Sequence, residues 1–175
     1  VVTRGGIVVI EIRKAEIWDA PRMAEIAFSA WDSGIRPLFN PQAGQREAER
    51  NRLSRAAGSS WQLAIVACMS GIVVGWCSRS AKRSYIPYLF VLPEVQSHGI
   101  GAQLLRRMES VLELRGADRV QLETPADHVR AVRFYERQGY RILALRTDGS
   151  NGQAPFTSVH MEKQLNPYVG DIGED

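Results

Sequence analysis

The segment VLPEVQSHGIGAQLL, residues 91–105, constrains this chain more than any other. Val91 closes an apolar run, a loop carrying Gly99 and Gly101 follows, and Ile100, Leu104, Leu105, Met108, Val111 and Leu112 recur at helical spacing. A strand, a glycine-bearing turn and a helix N-terminus in direct succession make an anion site. The first helical turn points unpaired N–H donors and the positive end of its dipole outward. Gly99 and Gly101 remove side chains where a phosphate would approach the backbone, and they equally permit a turn and close packing. A dinucleotide fingerprint would need a third glycine where Leu104 stands, and a P-loop would need Gly-Lys-Ser or Gly-Lys-Thr, so neither applies.

Around this segment the pattern predicts a β-branched strand over residues 7–13, then a helix from Asp19 and Pro21 to about Trp31 with Met23, Ile26 and Ala27 on its apolar face. A Gly- and Pro-bearing loop is expected over 32–44. The polar run 45–57, with Leu53 its one large apolar residue, predicts a helix lying loosely on the surface. Residues 61–69 and 72–80 read as a hairpin around Ser70-Gly71, and 84–91 as a third strand with a bulge, an edge or a break at Pro87. A helix over 99–115, a strand over 119–124, a helix capped by Asp127 and ended by Gly139, and closing strands over 140–147 and 156–163 complete the order. This is an α/β layout, with a mixed sheet of about seven strands and about four helices in one domain over residues 7–165. Residues 1–6 are set aside as a leader remnant, and 166–175 as a frayed tail.

The chain of 175 residues, 45% hydrophobic and 23% charged, can bury a real core. A net charge of +3 is too small to argue for nucleic acid. The basic residues are interspersed with acids, and no aromatic stacking motif accompanies them. No run approaches the roughly 18 apolar residues of a membrane span. Cys68 and Cys77 lie in apolar runs without metal-ligand spacing, which predicts buried thiols, no metal and a cytoplasmic setting.

Gln96, Gly99 and Gly101 in Gln-x-x-Gly-x-Gly spacing, between Val91-x-Pro93 and Leu104-Leu105, resemble the acyl-CoA signature of the GNAT superfamily of N-acetyltransferases. A second block, from Ala131 through Phe134-Tyr135-Glu136 to Gly139-Tyr140, resembles that family's fourth-helix motif, and the element order agrees from about Ile7 to Lys163. The resemblance implies a GNAT-like fold with splayed central strands. Leu89, Phe90 and Val91 would hold the pantetheine and acetyl group, and Gln96, Ser97, His98, Gly99, Ile100, Gly101 and Ala102 the pyrophosphate of acetyl-CoA. His128 stands where the family usually has Asn; it can donate a hydrogen bond, or be a solvent-facing residue of the first turn.

Acetyl transfer to an amine needs a neutral nucleophile, a stabilised oxyanion and a proton for the departing thiolate. A lysine-like ammonium near pKa 10.4 is neutral in only about one molecule in 2,500 at pH 7, a handicap of roughly 4.6 kcal/mol. An α-amine near 7.8 loses only about 1.1 kcal/mol, so a general base matters unequally among acceptors. The resemblance makes Glu123 the candidate base, against a solvated or ion-paired residue. A strand N–H at Phe90 or Val91 would polarise the thioester carbonyl. Tyr135 is the candidate acid, against a packing role and against Tyr85, Tyr88 and Tyr140 as competitors. Trp31 stands where the acceptor side would be built, and Phe28 beside it reads as core. The expected activity is transfer from acetyl-CoA to a primary amine of a small molecule or peptide. The alternative is an acyl-CoA-binding sensor without turnover. Neither a nucleic acid nor a membrane is expected as a partner, and the pattern leaves room for a homodimer through the closing strands.

Overall fold

The computed structural model describes residues 2–3, 6–7, 9–38, 44–148 and 156–166. The expected leader, in part, and the tail after 166 lie outside them, as do residues 39–43 of the loop expected over 32–44 and residues 149–155 between the two closing strands. A two-residue pairing of Val2–Thr3 with Gly6–Ile7 precedes the main elements. Seven strands then form two antiparallel half-sheets. The first orders β1 (Ile10–Lys14), β2 (Ala64–Met69), β3 (Ile72–Ser78) and β4 (Tyr88–Val91), and the second orders β5 (Arg119–Pro125), β7 (Phe156–Gln164) and β6 (Arg141–Asp148). Four α-helices flank them: α1 (Ala20–Gly34), α2 (Gln45–Ser60), α3 (Ile100–Glu113) and α4 (Val129–Arg137). No helix among the described residues is long and apolar enough to cross a membrane.

The continuous apolar run of β2 is explained by burial on both faces. Ile65 and Ala67 face one core with Leu104, Leu105 and Met108 of α3, while Ala64, Val66 and Cys68 face another with Met23, Ile26 and Ala27 of α1. Trp76, fully buried in β3, donates its indole N–H to Met23 O at 2.9 Å and ties the sheet to α1. Gly75 lets α3 close on the sheet, since a Cβ there would meet Phe90 O at 3.0 Å and Leu104 Cδ1 at 3.2 Å.

The half-sheets meet at one parallel bridge, Tyr85 to Gln121. Ile86 N donates to Gln121 O and Gln121 N to Ser84 O, both at 2.9 Å. Past Pro87 the chain changes partner. Tyr88–Val91 pair with β3 alone, and β4 and β5 diverge. A residue without an N–H stands at the switch, so the break expected at Pro87 is the fork of the splay.

Four expectations are corrected. The helix expected to end at Trp31 runs to Gly34, with a 3-10 turn at Arg36–Leu38, because Asp32 binds Arg36 at 2.7 Å one turn on and Arg46 at 2.8 Å. α2 is not loosely laid on the surface: Leu53, Ala56 and Ala57 are buried, the small alanines allowing close approach. Residues 61–63 form a 3-10 turn, not the start of β2. The N-cap of α4 is His128, not Asp127, and no side chain caps it. Asp19 does stand at the N-cap of α1, but its carboxylate turns back to Arg13 at 2.7 Å and to Glu16 N at 2.8 Å. The guanidinium holds Asp19 below the usual carboxylate range.

Candidate active site

The site is built at the fork. Backbone groups of a strand alternate sides, and Leu92 N donates to Val74 O of β3 at 2.9 Å. Leu89 and Val91 therefore turn their backbone groups away from β3 into the gap, whereas Phe90 faces β3. The Gln96 side chain donates to Val91 O at 2.9 Å, fixing the loop to the gap edge. Of the two strand amides considered for polarising a carbonyl, Val91 N–H has the direction and Phe90 N–H does not. The Phe90 ring packs instead with Trp76 at 5.4 Å and Tyr88 at 6.0 Å on the α1 side.

At the end of β4 the chain makes a 3-10 turn, Pro93–Val95, and then the anion loop. Ser97 and Gly99 are both left-handed, with φ of 66° and 79°, and Gly99 is the N-cap of α3. No side chain caps that helix, so the N–H groups of Ile100, Gly101 and Ala102 are left for an anion, while the Ile100 side chain is buried in the core. His98 is exposed and its Nδ1 donates to Val95 O at 3.1 Å. Arg130, at the start of α4, donates to Ser97 Oγ at 3.0 Å and spans from α4 to the loop. A Cβ on Gly101 would point at Phe134 Cζ, 3.6 Å away, and Val91 Cγ2, 3.8 Å away. The bare Gly101 therefore faces the seam between α3, α4 and β4. These features fit the pyrophosphate and pantetheine of acetyl-CoA: uncapped amides where the phosphates would lie, and the backbone groups of Leu89 and the Val91 N–H turned toward the gap.

Tyr135, on α4, packs edge-on against Phe134 at 5.1 Å and Tyr140 at 5.7 Å. Its hydroxyl has no hydrogen-bond partner among the described residues. Burial, then Cys77 and Tyr85, raise its pKa well above the ordinary phenol value, so it carries its proton at neutral pH. Glu123 stands on the other face of the sheet. Val120 and Leu122 point into the α3-side core, and Glu123 alternates away from them, accepting a hydrogen bond from the Ser158 hydroxyl of β7. His160 lies directly across the ladder from Glu123, and its buried Nε2 has no partner among the described residues. Glu123, Arg146, Thr147 and Ser158 line a pocket of about 440 Å³. Tyr85 stands between the two sides: it acts on Tyr135, and its own pKa is raised by burial and then by Glu123, with Arg146 opposing.

His128 is half-buried with its ring against the end of α1, where a Cβ on Gly34 would come 3.6 Å from Nε2. Burial and then Arg130 lower its pKa, which favours the neutral ring. Trp31 packs on Phe28 at 6.0 Å, and Phe28 is core under the Arg50 guanidinium at 3.7 Å. The structure thus gathers Leu89, Val91, Gln96, Glu123 and Tyr135 at the fork, and places Trp31 on the α1 layer. Sequence reasoning did not select Ser158, His160 or Arg146. Only the β5–β7–β6 strand order brings them beside Glu123.

The sequence pattern of the Acetyltransferase (GNAT) family matches residues 20–140. The chain is 38% identical over 58 residues to N-alpha-acetyltransferase 30 of Schizosaccharomyces pombe, a stretch covering 33% of this chain and 39% of that protein. It is 26% identical over 106 residues to the uncharacterized protein YdhI of Bacillus subtilis, 61% of each chain. The match thus spans less than two thirds of either curated relative. The fold superposes on the PaiA N-acetyltransferase of Thermoplasma acidophilum in complex with coenzyme A with a TM-score of 0.71 at 22% identity, covering 90% of this chain and 99% of that one.

Proposed function

This chain belongs to the GNAT acetyltransferase family, and we propose that it transfers an acetyl group from acetyl-CoA to a primary amine of a small molecule or peptide by direct attack in a ternary complex. The observation that carries this reading is the fork itself. β4 and β5 part at Pro87 beneath the uncapped N-terminus of α3, with the Glu123 carboxylate on one face of the gap and, on the other, the Tyr135 phenol, without a hydrogen-bond partner among the described residues. Acetyl-CoA supplies an activated thioester. Leu89 and Val91 hold the acyl arm through their outward backbone groups, and Val91 N–H donates to the oxygen that becomes negative. Glu123 accepts the proton of the attacking amine, and Tyr135 donates one to the departing sulfur on the opposite side. The loop 96–102 binds phosphate, and the neutral ring of His128, at the N-cap of α4, donates a hydrogen bond to the bound acetyl-CoA. The buried, unlinked Cys68 and Cys77 suit a cytoplasmic setting.

Glu123→Gln is expected to lower the rate by about tenfold or more below the acceptor's own pKa and much less above it, since a deprotonated amine needs no base. A pH–rate profile reads this, and a uniform loss at all pH values would assign Glu123 to positioning instead. Gly101→Val is expected to weaken acetyl-CoA binding by about tenfold, because a branched side chain would push on Phe134 and Val91 at the seam under the phosphate loop. Calorimetry on the folded variant decides it; unchanged affinity would remove the seam from the binding site.

The function is tested by thiol release from acetyl-CoA with amino acids, polyamines, antibiotics and N-terminal peptides as acceptors. Amine-dependent release is expected. Tight acetyl-CoA binding with no release for any amine would instead make the protein a sensor.

A further inference from the structure

The pocket beside Glu123 has two poles. Glu123 lies two residues along β5 from Gln121, where the half-sheets touch, and so borders the fork. Arg146 lies two strands away on β6, opposite Ser158, and both line the same pocket as Glu123. Carboxylate and guanidinium do not neutralise each other: Arg146 has no ion-pair partner among the described residues, and Glu123 takes its hydrogen bond from the Ser158 hydroxyl between them. Glu123 pairs with His160 and Arg146 with Ser158, so two strand spacings and a two-residue offset separate their backbones by roughly 12 Å, and both side chains border the one pocket. Tyr85 feels both charges with opposite sign, which puts both within range of one hydroxyl at the fork.

A purely cationic acceptor would be repelled at Arg146, and a plain alkylamine would leave the guanidinium without a partner. An acceptor with a carboxylate a few bonds from its amine satisfies both poles. Its amine lies at Glu123, toward the fork, and its carboxylate lies on Arg146 in a charge-assisted hydrogen bond. Resting on the acetyltransferase reading above, we propose that this pocket selects amino-carboxylate acceptors and that Arg146 is the residue that determines the selection. A free amino acid and a peptide beginning with Asp or Glu share this chemistry.

The test measures CoA release with four acceptors: free glutamate, glutamine amide, a peptide amide beginning with Glu, and the same peptide beginning with Gln. At least one carboxylate acceptor is expected to exceed its neutral counterpart by about tenfold or more in kcat/KM. If free glutamate wins, the source is the amino acid; if the Glu peptide wins, it is the peptide N-terminus. Arg146→Gln should raise KM for the preferred acceptor by about tenfold with kcat changed by less than about twofold, and Arg146→Lys should recover part of the loss. Equal use of charged and neutral acceptors, or an unchanged KM in Arg146→Gln, would overturn the selection while leaving acetyl transfer standing. Absence of CoA release with every amine would overturn the acetyltransferase reading and the selection with it.

Discussion

Replacing Tyr135 by phenylalanine is expected to lower kcat by about 10²-fold while acetyl-CoA affinity stays within about twofold. The ring stays, and with it the edge-on contacts to Phe134 and Tyr140. Because the hydroxyl has no hydrogen-bond partner among the described residues, its removal strands none of their donors or acceptors, so the loss reads out proton delivery and not packing. A CoA thiol near pKa 8.5 and a phenol near 10 make donation modestly uphill in water. Burial raises Tyr135 further but also raises the thiolate it would protonate. Steady-state kinetics beside direct binding checks this. Wild-type kcat in Tyr135→Phe, with chemistry rate-limiting, would remove the acid role.

Lys163→Met is expected to cost about 3 kcal/mol of stability, the low end for stranding a buried charge, since Lys163 keeps a quarter of its side chain in water. Glu109, on α3, is buried and accepts from the Tyr140 hydroxyl at 2.9 Å and from Lys163 Nζ at 2.7 Å. Three separate elements, α3, β7 and the turn after α4, meet at this one carboxylate. Removing the ammonium leaves it with a single neutral donor. For a chain of this size the loss corresponds to a fall in melting temperature on the order of 10 °C. The triple variant Glu109→Leu, Tyr140→Phe, Lys163→Met should recover most of it, because no charge is then left buried. A loss below about 1 kcal/mol in Lys163→Met would contradict the assignment. Tyr140 also packs edge-on against Tyr135, so this network sets the floor on which the candidate acid stands.

The glycine loop before α3 and the helix carrying the Phe-Tyr block were legible in sequence because each is local: a glycine N-cap, an apolar helix face and a Phe-Tyr pair lie within a few turns of chain. Pro87 gave the break in the third strand for the same reason. What it could not give is the change of partner, since pairing with Gln121 on one side and β3 on the other is a property of chain segments far apart in sequence. The turn of Val91 toward the gap and Phe90 away from it depends on register, which period-two alternation alone leaves open by one residue. Ser158, His160 and Arg146 were illegible because β7 inserts between β5 and β6. The burial of α2 was missed because its apolar stripe is one leucine and two alanines, too thin for a periodicity reading.

The central claim is direct transfer from acetyl-CoA to an amine within one ternary complex at the fork. Initial rates measured over a matrix of acetyl-CoA and acceptor concentrations test it most directly. Intersecting double-reciprocal lines, with acetylated amine and free CoA formed in equal amounts, are the expected result. Parallel lines with an isolable acetyl-enzyme, or CoA release that does not depend on the amine, would contradict it.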